Sequence, residues 1–183
     1  IIPLEMRDSA LTKKAPDGRR PGLFSSLQVP DLMAAMEASR NGEKVKAPYT
    51  LDHMADDSVG LLDALKIDKA HICGISMGGA IAQTIAFRRP SRVRSMTQVY
   101  ATTGNPQLPM PKPEIMALLL TPPPEGREAY VDYMLKLYKT IAGPGFPFDE
   151  IWHRKLSGRS YDRAFYGPGK ARRFVAILYA QGN

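Results

Sequence analysis

The sequence predicts an α/β fold: a parallel sheet clothed by helices, followed by a helical region. Three observations carry this. Residues 50 to 100 alternate helical and strand-like patterns, and Gly74-Ile75-Ser76-Met77-Gly78 falls where a strand gives way to a helix. Beyond Thr103 prolines crowd at 106, 109, 111, 113 and 122 to 124, and the later apolar periods are helical. Helix, strand, helix, strand in succession is the grammar of a parallel sheet with covered faces.

Taken in order, residues 1 to 6 read as the tail of a strand. Residues 7 to 29, with Asp17-Gly18 and Pro21-Gly22, read as an exposed loop. Asp31 is placed to cap a helix from Leu32 to Arg40, closed by Asn41-Gly42. Thr50 caps a longer helix with Leu51, Met54, Ala55, Val59, Leu62 and Leu65 along one face. Its Asp52, Asp56 and Asp57 suit a helix start and a solvated face. The turn Asp68-Lys69 introduces the apolar run Ala70 to Cys73, a buried strand on which Cys73 is a small buried residue. Then Ala80, Ile81, Thr84, Ile85 and Arg88 keep helical spacing until Pro90 stops the helix. Val93 to Tyr100 reads as a second buried strand. Further on, Tyr130, Met134, Leu137, Tyr138 and Ile141 form one face of a helix over 127–142. Phe148 to Leu156 reads as another helix, and Pro168 opens a last one carrying Phe174, Ile177 and Leu178.

Strand, G-x-S-x-G, helix is a context with chemical content. A tight strand-to-helix turn forces strained dihedrals, so side chains at Gly74 or Gly78 are expected to clash with neighbouring backbone. The turn lifts Ser76 Oγ out of the interior and sets it at a helix N-terminus, where free N–H groups and the positive dipole end favour a developing oxyanion. The N–H of Met77 is the expected oxyanion donor, and the loop after the second strand, with Thr102, is expected to border the substrate. The bland alternative is a glycine-rich turn with an incidental serine, which the matching flanks disfavour.

Composition sets the outer bounds. The 183 residues are 44% apolar and 23% charged, ordinary for one globular domain. The longest apolar run, Ile115 to Leu120, falls far below the ~20 residues of a membrane span. One cysteine forms no internal disulfide and fits a reducing cytoplasm. The net charge is +7, with basic clusters at Arg88-Arg89-Arg92-Arg94 and Lys170-Arg172-Arg173. No helix-turn-helix or zinc pattern accompanies them, so they read as solvated surface rather than a nucleic-acid face. The three histidines, His53, His71 and His153, lack metal-ligand spacing, and no metal is expected.

The stretch from Ala47 to Pro109, "APYTLDHMADDSVGLLDALKIDKAHICGISMGGAIAQTIAFRRPSRVRSMTQVYATTGNPQLP", resembles the α/β-hydrolase superfamily, in particular bacterial methylesterase-like enzymes of polyketide metabolism. The likeness continues through "GREAYVDYMLKLYKTIAGPGFPFDE", which is similar to their helical cap. The resemblance implies a partial α/β-hydrolase core over residues 1–103 and a helical cap over 104–183. It also implies a small-molecule ester substrate, no cofactor, and a triad in chain order Ser, Asp or Glu, His. The acid and the histidine of such enzymes follow late strands beyond the cap, and those strands find no counterpart in this sequence. The chain therefore reads as the middle of a longer hydrolase, with both ends cut. None of the three histidines is a convincing general base, His153 being the best of them.

The leading reading is thus a serine carboxyl-ester hydrolase with Ser76 as nucleophile. Acyl transfer, perhydrolysis and carbon–carbon bond hydrolysis use the same turn and compete with it. A non-catalytic ligand-binding relative is the reading from a different class.

Overall fold

The computed structural model describes residues 30–105, 107–109 and 111–181, so the expectations for 1–6 and 7–29 lie outside the described residues. Nine regular elements dominate, with a 3-10 turn at Pro90–Arg92: α1 Leu32–Arg40, α2 Leu51–Ala64, β1 Ala70–Ile75, α3 Met77–Arg88, β2 Val93–Val99, α4 Pro113–Leu120, α5 Arg127–Ile141, α6 Glu150–Ala164 and α7 Gly167–Gln181. The described residues fall into two compact units, one of 30–108 with 171–181, the other of 109–170.

In the first unit the caps form as their residue types require. Asp31 Oδ1 accepts from the N–H groups of Met33 and Ala34 at 2.9 and 3.1 Å, opening α1. Thr50 opens α2 in a reciprocal capping box, with His53 Nδ1 accepting the Thr50 N–H at 3.1 Å. Of the expected apolar face of α2, Met54, Ala55 and Val59 are buried, whereas Leu65 is exposed. These three join Tyr49, Ile81 and Ile85 in the core, with Ala176 of α7. That last contact divides the expected helical region of 104–183, since residues 171–181 pack with the sheet-bearing unit. It also removes Arg172 from the expected solvated cluster: only 1% of its surface is exposed.

β1 and β2 pair in parallel, with Ile72 opposite Met96, Gly74 opposite Gln98 and Ile75 opposite Val99. The register shifts between Ala70 and His71, so that Arg94 is the extra residue on β2. The strands were expected to be buried on both faces, and they are not. Ile72, Gly74 and Val93 face α3 and the core, but His71, Cys73 and Ile75 are exposed, with Ser95, Thr97 and Val99 exposed opposite them. Cys73 is correspondingly an exposed thiol rather than a buried one. The reason is geometric: a pleated strand sends alternate side chains to opposite faces, and among the described residues helices cover one face.

The first basic cluster works as a set of ties. Arg88 lies 3.6 and 3.3 Å from the carboxylates of Asp52 and Asp56, and Arg89 lies 3.7 Å from Asp56, linking α3 to α2. Arg92 bonds Asp63 at 2.7 Å and donates to the carbonyls of Asp68 and Ile67 at 2.7 and 2.9 Å, pinning the turn into β1. Exposed pairs of this kind contribute little each, about 0–1 kcal/mol.

The second unit is helical. α5 buries Val131 and Leu135, one position round from the expected stripe, whose Met134 and Tyr138 flank them half-buried while Ile141 is exposed. α6 is longer than the expected 148–156 because Asp149, whose Oδ1 accepts from the Trp152 N–H, sets its start and no proline interrupts it before Phe165. Between α5 and α6, Glu150 accepts from Lys139 at 2.7 Å and from Arg154 at 3.2 Å, which holds its carboxyl below the usual carboxylate range. Among the described residues no helix is long and apolar enough to cross a membrane, and no three His, Cys, Asp or Glu side chains group as metal ligands.

Candidate active site

β1 ends at Ile75, α3 begins at Met77, and Ser76 alone makes the turn. Its backbone sits at φ 54° and ψ −121°, a region that L-residues rarely adopt and that costs about 1–3 kcal/mol. Three backbone bonds hold it there: Ser76 N–H donates to Val99 O at 2.8 Å, and Ser76 O accepts from the N–H groups of Gly79 and Ala80 at 2.8 and 3.4 Å. The side chain is exposed and makes no capping bond to the helix it precedes. The hydroxyl is thus presented outward, at the C-terminal edge of β1 and the N-terminus of α3. The helix begins at Met77, three residues before the expected Ala80, so the Met77 N–H belongs to the first turn, where amides lack intrahelical acceptors.

The glycines divide differently from expectation. A Cβ on Gly74 would overlap the Gly78 carbonyl and come within 2.7 Å of the Gly79 nitrogen, so strand and helix meet too closely for any side chain. A Cβ on Gly78 meets nothing within 4 Å, which corrects the expected clash there. The second crowded position is Gly79, where a Cβ would overlap the Cβ of Ala101 on the loop after β2. The motif's spacing fixes attention on 74 and 78; the doublet Gly78-Gly79 was the available signal for the third.

Two further residues escaped the sequence reading. Gln83 is a lone amide in the apolar run of α3, and its Nε2 donates to Gln98 Oε1 at 2.8 Å and to Thr102 O at 2.7 Å. It therefore clamps the end of β2 and the loop beyond it onto α3. Thr102 itself is exposed, and its hydroxyl accepts from the Gly104 N–H at 3.2 Å. Between the two clamped residues stands Tyr100, with φ 54° and 79% of its surface exposed. Gln83 was legible as a polar break in an apolar helix; the backbone of Tyr100 was not, since tyrosine does not favour positive φ.

The histidines of this unit are engaged away from Ser76. His53 uses Nδ1 in the α2 cap. His71 Nδ1 lies 2.7 Å from Ser95 Oγ, five residues before Ser76. At a strand rise of ~3.3 Å per residue that is about 16 Å along β1. In the other unit, His153 stacks on Phe148 with centroids 4.3 Å apart, beside Tyr138 and Trp152. Its Nδ1 lies 2.7 Å from Asp149 O. A carbonyl can only accept, so Nδ1 carries the proton and Nε2 is the basic nitrogen.

Several known proteins are similar to parts of this chain. A family model described as alpha/beta hydrolase fold matches residues 28–174. Rhodomycin D methylesterase DauP of Streptomyces sp. (strain C5) is 28% identical over 142 residues, covering 66% of this chain and 48% of that protein. The 2-hydroxymuconate semialdehyde hydrolase of Pseudomonas sp. (strain CF600) is 40% identical over 78 residues, covering 42% of this chain and 26% of that one. A solved structure of Est816, described as an N-acyl homoserine lactone degrading enzyme, aligns over 74% of this chain and 50% of its own at 23% identity, with a TM-score of 0.47. The chain spans about half the length of the methylesterase it matches. With the family model covering residues 28–174, on the parallel strand pair and the serine turn described above, the chain belongs to the alpha/beta hydrolase fold family.

Proposed function

We propose that the chain carries the nucleophile of a serine hydrolase acting on carboxyl esters of small molecules. The observation that carries this reading is Ser76, exposed and held at φ 54°, ψ −121° on a turn that leaves no room for a side chain at Gly74. Strain of this kind persists only where surrounding structure over-determines it, and it concentrates at functional positions. In the proposed reaction Ser76 Oγ attacks the ester carbonyl as a general base takes its proton. The Met77 N–H donates to the oxyanion, the alcohol leaves with that proton, and water then cleaves the acyl-enzyme. His71 stands about 16 Å along β1 from Ser76 and His53 Nδ1 is used in the α2 cap, so neither is read as the base. A histidine and an acid elsewhere in a longer protein are read as the base and its orienting group. The helices α4 to α6 are read as the cap of such an enzyme, with a mainly apolar acyl group as their substrate chemistry.

The likeness to a methylesterase over 142 residues supports the ester reading. The test is covalent labelling by a fluorophosphonate probe together with hydrolysis of p-nitrophenyl butyrate, each compared with Ser76→Ala. Labelling that vanishes in Ser76→Ala is expected. Absence of labelling both in the chain and in a longer protein that carries it would refute the nucleophile.

A further inference from the structure

Of the non-glycine residues described with positive φ, Ser76 and Tyr100 share a place: each directly follows the last residue of its strand. Ile75 and Val99 are register partners, so Ser76 and Tyr100 leave the C-terminal edge side by side, on strands about 4.8 Å apart. Resting on the serine reading above, we propose that Tyr100 is a substrate-contacting residue: its ring walls the site beside Ser76 and selects for planar, aromatic acyl or leaving groups.

Three features of Tyr100 support this role. First, the turn is held from every side. Val99 O accepts from Ser76 N–H, Ala101 Cβ seats against Gly79, and one amide of Gln83 bridges the Gln98 side chain and the Thr102 carbonyl. A residue clamped on both flanks cannot relax its own dihedrals, which is the condition under which strain is retained. Second, a glycine at φ 54° would meet the same geometry without the steric cost, yet a large aromatic stands there. Third, the ring contributes little to this unit's packing, since 79% of the residue is exposed. A rigidly mounted aromatic face that packs against little of its own unit, one strand from the nucleophile, is suited to stacking on a planar group. Offset stacking on such a face favours an aromatic ligand by about threefold to tenfold.

The experiment measures second-order labelling rates of the full chain by two fluorophosphonates, one bearing a phenyl group and one a straight decyl chain. Unaltered chain, Tyr100→Phe, Tyr100→Ala and Tyr100→Gly are compared, with Ser76→Ala as the control for reaction at the serine. The expected result is a phenyl-over-decyl preference that Tyr100→Phe keeps within about twofold and that Tyr100→Ala lowers about tenfold. Tyr100→Gly relieves the backbone, so it carries the measurement if Tyr100→Ala does not fold, and it should lose the preference equally. A phenyl-to-decyl ratio unchanged in both small variants would overturn the role of Tyr100 while leaving the serine reading intact. Failure of both the unaltered chain and a longer protein that carries it to label would refute that reading, and the role of Tyr100 would fall with it.

Discussion

The sharpest physical expectation concerns Gly74 and Gly78, which the motif treats alike, and their neighbour Gly79. Substituting alanine at Gly74 places a methyl group inside the Gly78 carbonyl and 2.7 Å from the Gly79 nitrogen. Both obstacles are backbone, so no rotamer change relieves them, and either β1 or the start of α3 must shift. Overpacking of this sort costs about 1–3 kcal/mol, and here the shift also pulls on the Ser76 N–H bond to Val99 O. Gly79→Ala meets a methyl group, that of Ala101, which is equally unable to rotate away, and a similar cost is expected. Gly78→Ala meets nothing within 4 Å and lies in the first turn of a helix, where alanine is better than glycine by up to about 1 kcal/mol. The order of stability should therefore be Gly78→Ala at or above the unaltered chain, then Gly79→Ala and Gly74→Ala well below it. For a chain of this size 1 kcal/mol corresponds to roughly 2–4 °C in Tm. Far-UV circular dichroism is the suitable signal, because the single tryptophan, Trp152, stands in α6 and reports the other unit. A Gly78→Ala melt as low as that of Gly74→Ala would refute the argument that side chains are excluded at 74 and 79 but not at 78.

Other expectations follow from the same geometry. Ser76→Gly should raise the melting temperature by a few degrees, since glycine tolerates φ 54° without the steric cost, while abolishing fluorophosphonate labelling; a lower melt would argue against strain at the turn. Gln83→Leu removes both bonds of the clamp and leaves the Thr102 carbonyl and Gln98 amide to find new partners, an expected loss of about 1–3 kcal/mol by urea titration. Tyr133 is partly buried, and its hydroxyl donates to Leu118 O at 2.9 Å and accepts from Lys170 Nζ at 2.7 Å. Burial pushes this phenol's pKa up, so its contribution is complete below the ordinary tyrosine value of about 10 and is lost as pH rises through the folded-state value. Melts of Tyr133→Phe and the unaltered chain should accordingly differ at neutral pH and converge in strong alkali.

What the sequence could and could not convey separates along a physical line. Local rules wrote the caps of α1 and α2, the end of α3 before Pro90 and the serine turn, because each depends on residues within a few positions of one another. Asp31 reaches Met33 and Ala34, and Thr50 reaches His53, without help from the rest of the chain. Apart from the bounds of α3 and α6, the misreadings are non-local. Cys73 belongs to an apolar run that reads as buried, yet its face of the strand pair is exposed because burial there depends on a second layer that no local pattern encodes. Arg172 sits in a basic triplet that reads as solvated, yet only 1% of it is exposed on α7. Gly78 and Gly79 are adjacent in sequence, and only the path of the Ala101 loop decides which of them must lack a side chain. The same holds for the chemistry. A five-residue motif can announce a nucleophile, since the strain that exposes Ser76 is generated by its own flanks. Gln98, Tyr100 and Thr102, of which Tyr100 is the proposed wall, are set beside it only by the β1–β2 register and the reach of one glutamine from α3. Nucleophiles are thus legible before their substrates are, because reactivity is set by a turn and selectivity by whatever the fold brings alongside it.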